Sequence, residues 1–187
     1  MISRSGRKYL SAEERSRFID CVREFANPEM QTFALTLTYT GCRVSEALAL
    51  RVRDVDMASA VIRFKSRKQR REISREVPIP DQLCRELDLA HHLKHLQVHA
   101  RGGDQFLWTF SRTTAYRRIA EIMKRAEIEG PQATSRGLRH GFGVAAVEAG
   151  VPLTTVAAIL GHSDITTTKV YTTASGAEAR EFLKKIW

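Results

Sequence analysis

Between Arg51 and Pro80 the chain changes its hydrophobic period, and that change limits what it can fold into. On either side, apolar residues return at helical spacing. In "RDVD", "SAVIRFK" and "REVPIP" they alternate with polar ones, as in short strands with one face buried. "KSRKQRREIS", between the last two, is expected to be a long basic hairpin tip. The fold class expected is therefore mainly α with a small three-stranded antiparallel sheet, an α+β arrangement.

The helical segments carry their own punctuation. "LSAEERSRFIDCVREF" opens with Ser11 as N-cap and Glu14 three places on, a capping box. Leu10, Phe18, Val22 and Phe25 follow at near-helical spacing, and Asn27-Pro28 ends the run. "MQTFALTLTYTGC" reads as a buried helix stopping at Gly41, and "RVSEALAL" as a short helix with Arg43 at its start. From Asp81 the helical period returns in "DQLCRELDLAHHLKHLQVHA", "RTTAYRRIAEIMKRAEIEG", "GLRHGFGVAAVEAG", "PLTTVAAILGH" and finally "GAEAREFLKKIW". There is no internal repeat and no low-complexity linker. The 187 residues suit one domain with a sizeable core.

Charge narrows the class of partner. Thirty Lys and Arg against twenty-one Asp and Glu leave +9. A surplus of that sign draws polyanions, nucleic acid first among them. An anionic membrane surface is the competing partner, but no apolar stretch is long enough to span a bilayer and no amphipathic basic helix stands apart from a core. Residues 1–9 read as a basic arm with no apolar signal segment behind it. Cys21, Cys42 and Cys84 are scattered, odd in number and without metal spacing, so they read as reduced thiols of a cytoplasmic protein.

Four short patterns then stand in one order: "TGCRVSEALAL" with Arg43; the hairpin "VIRFKSRKQRREISREVPIP" with Lys65 at its turn; "SRGLRHGFG" with Arg139 and His140; and "ILGHSDITTTKVYTTA" with His162 and Tyr171. Together they resemble the tyrosine recombinases, the phage-integrase-like site-specific DNA recombinases, from about Leu10 to the end of the chain. The resemblance implies a DNA breaking-rejoining catalytic domain. It implies Arg43 as first arginine, Lys65 as hairpin lysine, Arg139 as second arginine, His162 as third-motif histidine and Tyr171 as nucleophile. Lys68, on the same hairpin, could hold the role of Lys65. Elementary chemistry agrees with these assignments. Guanidiniums grip non-bridging phosphate oxygens through paired N–H donors, a lysine can protonate a departing oxygen, and a phosphotyrosyl link conserves the phosphodiester energy. The resemblance calls for no cofactor and no metal. Its partners are double-stranded DNA and further copies of the chain, as a tetramer on paired sites.

Two departures follow. Three residues before Arg139 the family normally has histidine, and here stands Arg136. An arginine binds phosphate but, with a pKa above about 12, accepts no proton near neutrality. His140 is adjacent but expected on another helix face. The second departure is length. The expected organisation is a single catalytic domain over residues 1–187, with residues 1–9 as a basic arm and no N-terminal clamping domain. The chain is then either a short recombinase or a fragment of a longer one.

The basic tip holds Arg63, Lys65, Arg67, Lys68, Arg70, Arg71 and Arg75, opposed only by Glu72. It reads as a solvated loop or as a DNA contact, and the lysine pattern favours contact, with Arg67, Lys68, Arg70, Arg71 and also His140 as DNA-binding residues. His91, His95 and His99 recur every four residues and read as an exposed, partly titrating helix face rather than a metal site. Glu46 is expected to orient its neighbours. The last segment, residues 174–187, with Ala177, Phe182, Leu183 and Ile186 apolar, either packs on its own domain or docks on a neighbouring protomer. Three activities remain open: recombination, DNA binding by the same fold with impaired chemistry, and strand relaxation of the type IB topoisomerase kind.

Overall fold

The computed structural model describes residues 7–68, 71–99, 101–161 and 176–187. Helix α1 (Ala12–Phe25) starts on the expected capping box: the Glu14 amide donates to Ser11 Oγ at 3.2 Å and the Ser11 amide to Glu14 Oε2 at 2.9 Å. Asn27 and Pro28 do more than end that helix. Asn27 Oδ1 accepts the Met30 amide, and Pro28 opens α2 (Pro28–Thr40) as its first residue.

Helix α2 is the centre of the domain. It is buried on every side from Thr32 to Thr40, so its threonines cannot use water. Thr32, Thr38 and Thr40 instead donate to carbonyls one turn back, those of Pro28, Ala34 and Thr36. Around it lie α1, α4 (Asp81–His91) and α7 (Ser135–Glu148), and α6 (Arg112–Arg125) packs on α1. The short α3 (Val44–Ala47) follows α2 directly, and α8 (Leu153–Leu160) follows α7.

The sheet has the order β1-β2-β3, antiparallel throughout, with β1 at Val55–Asp56, β2 at Val61–Lys68 and β3 at Arg71–Pro78. Its strands run much further than the expected tip allowed. The register continues through Lys65↔Ser74 and Arg67↔Glu72 to Lys68↔Arg71, so Lys65 lies in mid-strand and not at a turn. Charged residues conceal a strand from composition, but the ladder needs only backbone groups and tolerates them on an exposed face. Ile62, Phe64 and Val77 face the core.

The segment expected as one helix from Asp81 breaks at His92, which takes φ +52° between α4 and α5 (Leu93–Gln97). The Asp88 carboxylate accepts the Lys94 amide and so competes with helix continuation. The break takes His91 out of the expected exposed stripe, while His95 and His99 stay exposed. His91 turns inward, 2.9 Å from Thr32 Oγ1 and edge-on to Trp108, while His95 and His99 meet edge to face with ring centres 4.3 Å apart. Among the described residues no group of three or more histidine, cysteine, aspartate or glutamate side chains could hold a metal, and no helix is long and apolar enough to cross a membrane. Helix α9 (Gly176–Leu183) lies against β3 of its own chain, with Leu183 and Ala179 buried. Arg180 ties it to the Ala60 and Ile79 carbonyls and to Asp81.

Candidate functional site

Gly41 sets the position of the first arginine. It closes α2 at φ +61°, a left-handed conformation that glycine adopts without strain. A Cβ there would also meet Phe142 at 2.6 Å and Leu160 at 2.8 Å. The tight turn delivers Arg43 to the start of α3, where Glu46 holds it. The carboxylate accepts the Arg43 amide at 2.8 Å and Arg43 Nη1 at 3.2 Å.

The same carboxylate takes both Nη groups of Arg75, at 3.0 and 2.9 Å. Arg75 Nε donates to the Ile159 carbonyl, and its guanidinium lies 4.9 Å from the Phe64 ring centre. The exposures assign the division of labour. The side chains of Glu46 and Arg75 are 7% and 11% exposed, that of Arg43 46%, so the inner pair is structural and Arg43 reaches solvent. Burial pushes the Glu46 carboxyl up, but hydrogen bonds from Arg75 and the Arg43 amide outweigh it and hold the group below its ordinary value.

Arg139 is anchored twice. Nη1 donates to the Gly41 carbonyl and Nη2 to that of Leu160, both at 2.8 Å. These carbonyls end α2 and α8, where helices leave acceptors unpaired and the dipole favours a cation. Burial and the nearby Arg43 charge bring its pKa down to about 10, which leaves it protonated at neutral pH.

Arg43, Arg136, Arg139 and His140 come together. With Cys42, Val44, Ser45, Arg112, Tyr116 and Ser135 they line an open cleft of about 340 Å³. His140 was expected on another face of α7 from Arg139, yet both line this cleft. Successive helix residues stand roughly 100° apart, and an open cleft can span that arc. Burial, then Arg139, Arg136 and Lys8, lower the His140 pKa, which keeps its imidazole neutral near pH 7. The Cys42 thiol is pushed up to about 12 by burial and is no nucleophile at neutral pH.

Other expected residues lie elsewhere. Lys65 is not among the lining residues; it sits on β2 with Nζ 3.9 Å from Asp54 Oδ1. Arg67, Lys68 and Arg71 are strand residues at the far end of the hairpin. Arg70, His162 and Tyr171 lie outside the described residues. The uniform basic tip needs correction, since Arg63 pairs with Glu76 and Arg75 is committed to Glu46. Sequence reasoning missed the inward role of Arg75, Arg112 and Tyr116. The signal for Arg75 was available: it shares the strand parity of Val77, and β3 places it opposite Phe64 on the buried face. No such parity marked Arg112, which reaches the cleft only because α6 is packed beside α3.

Residues 8–178 match the model of the phage integrase family. The chain belongs to that family. A tyrosine recombinase of Thermosipho africanus is 27% identical over 179 residues, covering 95% of this chain and 61% of that protein. Tyrosine recombinase XerD of Corynebacterium glutamicum is 30% identical over 184 residues, covering 92% and 59%. The crystal structure of XerA recombinase superposes with a TM-score of 0.71 at 26% identity, over 98% of this chain and 66% of that one. A XerH site-specific recombinase bound to its difH substrate shares the fold, with a TM-score of 0.71 at 18% identity, over 97% and 55%. The chain thus spans about three fifths of the length of these two curated relatives.

Proposed function

We propose that the chain is the catalytic domain of a site-specific DNA recombinase. The observation that carries this reading is the cleft itself, where Arg43 and Arg139 are anchored by separate networks in a phage integrase fold. In this reading each guanidinium donates to a non-bridging oxygen of the scissile phosphate. Their positions are set before substrate arrives, which is the condition for strong transition-state stabilisation. Tyr171 Oη attacks phosphorus, the bond to the 5′-oxygen breaks, and that oxygen leaves as a hydroxyl after taking a proton from Lys65. A 3′-phosphotyrosyl link remains, and attack by a 5′-hydroxyl reverses the step on a new strand.

His162 contributes a further phosphate contact. Arg136 leaves acceptance of the tyrosine proton to another group. Double-stranded DNA is the substrate in this reading; a XerH recombinase of the same fold is bound to its difH substrate, and an integrase of the Tn1549 transposon to transposon right end DNA. The working unit is a tetramer on paired sites, and the chain acts in the cytoplasm on chromosomal or mobile-element DNA.

Covalent trapping tests the reading. The protein and its Tyr171→Phe variant are incubated with nicked suicide duplexes carrying candidate sites and run on denaturing gels. A DNA-linked band in the first and none in the second is expected. No band on DNA that the protein binds would leave only a DNA-binding domain of this fold, and Arg136→His would then show whether the missing base is responsible.

A further inference from the structure

A buried carboxylate stands beside the strand that carries Lys65. Asp54 closes the short 3₁₀ turn Val52–Asp54 and is 6% exposed. A carboxylate that far from water needs partners for its oxygens. Oδ2 accepts the Arg51 amide at 2.9 Å, and Oδ1 lies 3.9 Å from Lys65 Nζ. The next residue, Val55, opens β1 and pairs with Ile62 of β2, so the carboxylate lies along the strand that bears the lysine. β2 also packs against α3, the helix that follows Arg43.

The two partners differ in freedom. Asp54 is fixed by its surroundings. Gln97 Nε2 donates to the Val52 and Val55 carbonyls, at 2.9 and 2.7 Å, and the Val52 amide donates to the Gln105 carbonyl at 2.9 Å. The Val52 and Val55 side chains are buried. Lys65 has a backbone fixed by its pairing with Ser74, but its side chain is 44% exposed on a flexible four-carbon stem. The ammonium therefore adapts to the carboxylate and not the reverse. A pair with one exposed member adds little to stability. Its effect is on place, because it restricts a long side chain whose use depends on where Nζ stands. An ammonium has three N–H donors, so contact with Asp54 leaves donors for a departing oxygen.

We propose that Asp54 is a positioning residue for Lys65: its fixed carboxylate holds the ammonium at one point beside β2, from which it meets the departing 5′-oxygen. The inference rests on the recombinase reading above, with Lys65 as proton donor. Asp54 touches no reacting atom and acts through Lys65. In the step it serves, the bond from Tyr171 Oη to phosphorus forms, the bond from phosphorus to the 5′-oxygen breaks, and a proton passes from Lys65 Nζ to that oxygen. Without Asp54 the same chemistry is available, but the ammonium is spread over many rotamers.

The test compares single-turnover cleavage of two nicked suicide duplexes, one with the ordinary 5′-oxygen at the scissile bond and one with sulfur in its place. A thiolate departs without needing a proton, so the sulfur duplex bypasses the acid. D54N keeps an oxygen for the Arg51 amide and removes the charge. On the oxygen duplex K65A should be slower by about 10²–10⁴-fold, the range for a lost general acid. D54N should be slower by about tenfold or more, short of K65A, with D54E between D54N and the parent protein. On the sulfur duplex all three should cleave at the parent rate. D54N as fast as the parent on oxygen, or equally slow on both duplexes, would overturn the inference, the second result making Asp54 merely structural. K65A slow on both duplexes would take the proton transfer from Lys65, and the inference fails while Tyr171 as nucleophile stands. No covalent product from the parent protein on either duplex would remove the recombinase reading, and this inference with it. Rates are taken below each variant's melting temperature, followed by circular dichroism.

Discussion

Glu46 decides most of what happens at the residue scale. It satisfies the Arg43 amide, the Arg43 guanidinium and both Nη groups of Arg75 with a single buried carboxylate. Such a carboxylate is tolerable only while paired, because an unpaired buried charge costs several kcal/mol. Arg75→Ala would leave it with the more exposed Arg43 alone and leave the Ile159 carbonyl without its donor. That variant should lose about 3–5 kcal/mol in urea unfolding, the range for breaking a buried pair. A loss below about 1 kcal/mol would mean the pair is solvated like a surface bridge. The network was half legible in sequence. Glu46 was expected to orient its neighbours, but Arg75 was hidden in a basic run in which Arg63 and Lys65 are exposed.

At the scale of elements, the break between α4 and α5 carries a pH dependence. His91 is turned against Thr32 and Trp108, and burial, with help from His92, brings its pKa to about 4 from 6.5. The native state therefore keeps it neutral where the unfolded chain takes up a proton. Full stability is present above pH 6.5 and declines as pH falls towards 4. His140 is shifted in the same direction, so the informative comparison is internal. Between pH 7.5 and 5 the urea midpoint of the parent protein should fall, and that of His91→Gln should fall less. Equal falls would place the titrating group elsewhere. Helical periodicity could not foresee this break, because His91 and His95 suit an unbroken helix and only the Asp88 side chain and the pocket beneath Trp108 end it.

For the whole molecule, the C-terminal helix closes the domain on itself. Leu183 is fully buried, Arg180 reaches the Ala60 and Ile79 carbonyls at one end of the β2–β3 pair, and Arg15 donates to the Ile186 carbonyl. Leu183→Ala should therefore destabilise the chain by about 2–5 kcal/mol in denaturant unfolding. No measurable loss would mean that this side chain finds its place in another protomer. The order of the elements was legible from the chain alone, because a period of two and a period near 3.6 leave different marks and caps such as Ser11 act over a few residues. The two anchoring arginines were legible too, since a left-handed Gly41 and the pattern around Arg139 are local. The extent of the hairpin, the inward face of Arg75, the break at His92 and the arrival of Arg112 beside Arg43 were decided by tertiary structure. Arg75 meets Glu46 and His91 meets Thr32, 29 and 59 residues away in the chain. A charged residue looks the same in sequence whether it meets water, a buried carboxylate or a phosphate, and packing alone chooses among them.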